Sequence, residues 1–155
     1  MKITILQRGG TKRHEEIETA ARWALADLGL GTRMRNKLAI RIEMRATKLE
    51  RNTLGVVYTK ALGSRAQRKF TIIIRRDDPW TMQLETLMHE LVHVAQFATG
   101  RFQHRNWANG VTHYRWEGQA HGCQNTVPYY SRPWEREAFR LQRPMAARFT
   151  NDARR

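Results

Sequence analysis

One cysteine, Cys123, and four prolines are all that this chain of 155 residues holds of the types that staple or interrupt a fold. A lone thiol makes no internal disulfide, which excludes the small, disulfide-framed class of domain. No stretch approaches the roughly 18 apolar residues that cross a bilayer. The first ten residues, MKITILQRGG, hold too few apolar residues for the hydrophobic region of a secretory signal. The expectation is a soluble, cytoplasmic protein with no membrane partner. Acid is scarce as well: 14 Asp and Glu stand against 28 Lys and Arg, for a net charge of +14.

Hydrophobic residues make up 41% and charged residues 27% of the chain, an ordinary globular balance that excludes intrinsic disorder. A chain of this length buries the core of one domain. Arginine supplies 22 of the 28 cations. Its planar fork matches phosphate and carboxylate oxygens, so nucleic acid or an acidic protein is a candidate partner, against the plainer reading of a solvated surface. The charges are scattered from Arg33 to Arg51, from Arg65 to Arg76 and from Arg132 to Arg155, and no single helix carries them.

Hydrophobic spacing predicts the elements. Lys2 to Leu6 reads as a strand, and Ile17, Ala20, Ala21, Ala24, Leu25 and Leu28 recur at helical spacing before Gly29 and Gly31 stop the helix. Leu38 to Met44 alternates as a strand, Gly55 to Tyr58 is a second, and Phe70 to Ile74 a third, separated by a polar loop over Gly63 to Arg68. A long helix follows, with Thr81 as its N-cap and Gly100 as its stop. Val111 to Gly118 reads as a strand and turn. A last helix starts after Pro133 and runs from Trp134 to about Gln142, where Pro144 ends it. The predicted organisation is one domain over residues 1–143 and a basic, frayed tail over residues 144–155.

The long helix contains His89-Glu90-Leu91-Val92-His93. Histidines four apart lie one turn above each other, so both imidazoles can aim at one ion. Zinc takes two such nitrogens at about 2.0 to 2.1 Å and completes a tetrahedron with one more protein ligand and a water. Glu90 is placed to reach that water rather than the metal, as a general base. A shuffled chain of this composition would hold the five-residue pattern roughly once or twice per hundred, so context must decide. The context is a mid-helix position, an apolar helix back and a strand just before it.

The run Thr86-Leu87-Met88-His89-Glu90-Leu91-Val92-His93-Val94-Ala95-Gln96, with Tyr129 to Phe139 downstream, resembles the two-helix core of zincin metallopeptidases, and is similar to short SprT-like and minimal gluzincin domains of bacteria and phages. The likeness covers about the second half of the chain. It implies an α+β fold, with a small mixed or antiparallel sheet packed on an active-site helix and a second, ligand-bearing helix. It implies one zinc ion on His89, His93 and a glutamate followed by a small residue, which maps onto Glu137 before Ala138. Glu135 and Glu137 lie roughly 200° apart on a helix, so only one can face the ion. Glu135, His113 and His121 remain alternatives.

The resemblance further implies peptide-bond hydrolysis with Glu90 as the base, a protein or peptide substrate, and an edge strand, Phe70 to Ile74, against which substrate extends. Tyr129 or Tyr130 is placed to polarise a scissile carbonyl, and Trp107 or Trp116 to meet substrate; packing is the plainer role for all four. The chain departs from the family in three respects. The interval from His93 to Glu137 is long and implies an inserted hairpin or loop near the cleft. Leu141 stands where an acid would orient a histidine, leaving Gln96 on the metal face to help. One cysteine cannot supply a zinc ribbon. A nucleic-acid-binding protein with a structural or vestigial zincin site is the competing function.

Overall fold

A computed structural model describes residues 1–7, 12–46, 55–59, 67–106 and 110–153. Four strands form the main sheet: β1 (Lys2–Gln7), β2 (Ala39–Arg45), β3 (Gly55–Thr59) and β4 (Lys69–Arg75), in the order β1-β2-β4-β3. β1, β2 and β4 run parallel, and β3 is antiparallel to β4. The β-branched run Phe70 to Ile74 therefore lies inside the sheet. This corrects its expected place at the edge, which β3 takes. Composition alone does not separate the two, because Phe70, Ile72, Ile73 and Ile74 are buried as an inner strand requires. In β2, Ile40, Ile42 and Met44 alternate into the core with Leu38 just ahead of them.

Helix α1 (Lys12–Asp27) packs on β1 and crosses the later helices through Ile17, Ala20, Ala21, Ala24 and Leu25, all buried, whose small alanines permit close approach. A single turn, α2 (Thr32–Arg35), leads into β2. Helix α3 (Trp80–Thr99) is the centre of the molecule. Fifteen of its 20 residues are buried, because β3 and β4, α1 and the last helix cover it from different sides. Pro79, not Thr81, holds its N-cap position. A proline has no amide hydrogen to satisfy there, and the Gln83 side chain ties the entry down by donating to the carbonyls of Arg76 and Asp78, both at 2.6 Å. Gly100 ends the helix with φ 77°, the left-handed cap that glycine adopts at least cost.

Between α3 and the last helix lies a three-stranded antiparallel sheet of β5 (Phe102–Asn106), β6 (Thr112–Trp116) and β7 (Gln119–Cys123), the hairpin insertion that the long interval implied. Glu117 and Gly118, at φ 49° and 83°, make the tight β6-β7 turn. Aromatic stacking fastens this sheet to the body: the Phe102 ring lies 4.3 Å from that of Trp134, tilted by 18°.

Helix α4 (Pro133–Asp152) continues through Pro144, so the expected stop at Gln142 and the frayed tail over 144–155 are both corrected for its described part. A mid-helix proline costs about 3 kcal/mol. Pro144 stands on the exposed side, where water reaches the carbonyl it leaves unbonded, and beyond it Met145, Ala146 and Phe149 are buried. Burying Met and Phe side chains is worth about 1.5 to 3 kcal/mol each, enough to carry the helix past the break. Phe149 packs edge-on against Trp23, whose indole donates to Asp152 at 3.1 Å. One core thus runs from Ile17 to Phe149. Among the described residues no helix is long and apolar enough to cross a membrane.

Candidate metal centre

Helical spacing brings His89 and His93 together on α3 with their Nε2 atoms 3.2 Å apart. Glu135, in the first turn of α4, adds Oε2 at 3.4 Å from His89 Nε2 and 3.3 Å from His93 Nε2. All three residues are buried. The donor atoms form a nearly equilateral triangle. In a tetrahedron the edge is about 1.6 times the centre-to-corner distance, so this triangle is one face around an ion with arms of about 2.0 Å, the length of imidazole and carboxylate bonds to a zinc-sized ion.

The protons agree with that reading. Nδ1 of His89 donates to Gln142 Oε1 and Nδ1 of His93 to Gln96 Oε1, both at 2.8 Å. An amide oxygen only accepts, so each Nδ1 carries a hydrogen, and each ring when neutral turns an Nε2 lone pair inward. Glu135 Oε2 is buried with no hydrogen-bond partner. Three donors converging on one point need positive charge between them, which a proton on His93 supplies in the metal-free site and a cation would supply in its place. His89, His93 and Glu135 can hold a metal ion, and they are the one group of three or more such side chains among the described residues.

Glu137, the expected third ligand, faces elsewhere. Its Oε2 accepts from the Gln96 amide at 2.8 Å, and Arg101 grips both its oxygens at 3.1 Å. Partial burial alone would raise its pKa; the bonds from Gln96 and Arg101 outweigh that and lower it. The reason is rotational. Trp134 is buried against Phe102, which turns the next residue, Glu135, toward α3 and swings Glu137 round to the insertion. His113 and His121 lie on β6 and β7, outside the group, and the His121 ring packs 5.5 Å from that of Trp134. Trp107 lies outside the described residues.

Glu90 is buried beside the two histidines. Burial raises its pKa, the neighbouring imidazoles of His93 and His89 oppose the rise, and the Val57 backbone bonds its carboxylate. The strand carrying Val57 passes very close to α3: a Cβ at Gly55 would stand 2.5 Å from Thr86 Cγ2 and 3.1 Å from Glu90 Oε1. For His93, burial alone would lower the pKa, but Glu135 and Glu90 beside it raise it to about 9 in the metal-free site. Burial likewise raises the carboxyl of Glu135, and contacts with His89, His93 and the Tyr129 hydroxyl more than reverse this. Tyr129, held in a short 3-10 turn (Tyr129–Ser131), is raised by burial and by the Glu135 carboxylate. Tyr130 beside it is largely exposed.

These residues line a cleft of about 670 Å³, walled by β3, α3, the insertion, the 3-10 turn and α4. Gln142 and Arg101 escape a reading of the sequence, the first because α4 was expected to end there. Compared with protein-family models, curated proteins and solved structures, the chain finds no match in any of the three.

Proposed function

We propose that this chain is a zinc-dependent metallopeptidase, with one ion on His89, His93 and Glu135 and with Glu90 as the general base. The donor triangle with edges of 3.2, 3.3 and 3.4 Å carries the reading, because both imidazoles are fixed in the tautomer that a metal requires. A zinc ion held there supplies a Lewis acid that lowers the pKa of a water from 15.7 toward about 7. Glu90, with its pKa raised by burial, accepts a proton from the attacking water and delivers it to the leaving amine. In this reading the Tyr129 hydroxyl, beside Glu135, donates to the oxygen of the carbonyl under attack. β3 bonds to β4 along one edge and borders the cleft through Gly55, Val56 and Val57, which gives an extended peptide a strand to lie against.

The test is Glu90→Gln, an isosteric change that spares the ligands. Protein purified without chelator should carry one zinc per chain in both forms, and the variant should lose about 10²- to 10⁴-fold in peptide hydrolysis. Absence of zinc from the parent, or equal hydrolysis by the two forms, contradicts the proposal.

A further inference from the structure

Arg132 lines the cleft without a counter-ion among the described residues. Its Cζ lies over the Tyr114 ring at 5.1 Å and over the Tyr129 ring at 5.5 Å, and its Nε donates to the Val127 carbonyl at 3.1 Å. No carboxylate among the described residues pairs with it. Arg101, the arginine nearest to it in role, is neutralised by Glu117 and Glu137. Opposite Tyr114 in the β5-β6 pairing sits His104. Its ring packs 5.2 Å from Phe97, and its Nε2 is buried with no partner. With its ring against Phe97 and Phe102 and that nitrogen sealed from solvent, His104 is part of the cleft wall, which Arg132 and Tyr114 also line.

This corner adjoins the metal centre from two sides. Phe97 is one helical turn beyond His93, and Tyr129, under the Arg132 guanidinium, reaches Glu135 with its hydroxyl. A guanidinium held between two aromatic rings with no carboxylate among the described residues is costly to keep, and an arriving anion relieves it. The guanidinium fork fits a carboxylate with two parallel bonds. We infer that Arg132, fixed between the Tyr114 and Tyr129 rings, forms a carboxylate-binding subsite that selects peptides carrying a negative group near the scissile bond. The inference rests on the peptidase reading. Two sources share the chemistry, an acidic side chain and the carboxyl terminus of the substrate.

The experiment uses the zinc-loaded full chain and pairs of internally quenched peptides. One arm exchanges Glu for Gln at each position flanking the cleaved bond; the other exchanges a free carboxyl terminus for an amide. The parent should prefer the charged member of one arm by about 10- to 100-fold in kcat/KM, and the arm that discriminates names the source. Arg132→Gln should bring the pair to within about 3-fold by slowing the charged member only. Arg132→Lys, which keeps the charge and loses the fork, should fall between and serves if Arg132→Gln does not fold. The same peptides are then bound, without turnover, to zinc-loaded Glu90→Gln protein and read by fluorescence anisotropy. Charge-selective binding that Arg132→Gln abolishes, without hydrolysis by the parent, would sink the peptidase reading and leave the subsite standing. Hydrolysis or binding indifferent to charge, or a preference that survives Arg132→Gln undiminished, would overturn the subsite.

Discussion

Gln96 accepts a hydrogen bond from His93 Nδ1 at 2.8 Å and with its own amide nitrogen donates to Glu137 Oε2 at 2.8 Å. Three residues along α3 from the histidine, it fixes the ring's tautomer, and Glu137 and Arg101 in turn fix which way the amide points. Partners of this kind are worth about 10- to 100-fold in metal affinity. Gln96→Leu and Glu137→Leu should each weaken zinc binding by that amount, read by competition with a chromophoric chelator, while one site per chain remains. Unchanged affinity in both would remove the relay from Glu137 to His93.

Gly55 should tolerate no side chain. The Cβ of Gly55→Ala would stand 2.5 Å from Thr86 Cγ2 and close to the base, so β3 must move away from α3. Overpacking of this kind costs about 1 to 3 kcal/mol. The variant should unfold at lower urea and lose hydrolysis through displacement of Val57 from Glu90, with zinc content intact. A variant as stable and active as the parent would show that the close approach is dispensable.

The last turns of α4 belong to the core. Met145 is fully buried, so Met145→Ala should cost about 2 to 5 kcal/mol in urea unfolding. A change in a frayed tail would cost less than about 0.5 kcal/mol, and that result would contradict the packing described here.

Burial lowers the pKa of His104 below its ordinary 6.5. Below pH 6.5 the unfolded chain then binds a proton that the folded chain resists, so this residue's contribution to stability is present at neutral pH and is lost as pH falls through that value. Comparing metal-free parent with metal-free His104→Gln removes the shared titrations. The parent's melting temperature should fall relative to the variant's between pH 7.5 and pH 5; parallel curves would contradict the burial of the ring.

The histidine pair and the neighbouring Glu90 were legible in the sequence because their geometry is local: a spacing of four on a helix sets it whatever the tertiary packing. The third ligand was not, for a physical reason that lies at Pro144. If the helix stops there, Glu135 and Glu137 are equivalent short-range options. If it continues, Glu135, Ala138, Gln142, Met145 and Phe149 fall on one stripe that faces α3, and Glu137 falls off it. The decisive signal therefore lay beyond the proline, in apolar residues whose burial outweighs one lost hydrogen bond. The edge strand was hidden in a different way, since order in a sheet is set by long-range pairing that residue types do not encode. Arg132 meets Tyr114 only because the insertion folds back on the turn before α4, a tertiary contact.

The central claim is a metal ion on His89, His93 and Glu135, and anomalous X-ray scattering on crystals grown from protein never exposed to chelator tests it most directly. The account predicts one peak that appears above the zinc absorption edge and vanishes below it, about 2.0 to 2.1 Å from the two Nε2 atoms and Glu135 Oε2, and absent in Glu135→Gln. No peak between α3 and α4, or a peak ligated by Glu137, would contradict it.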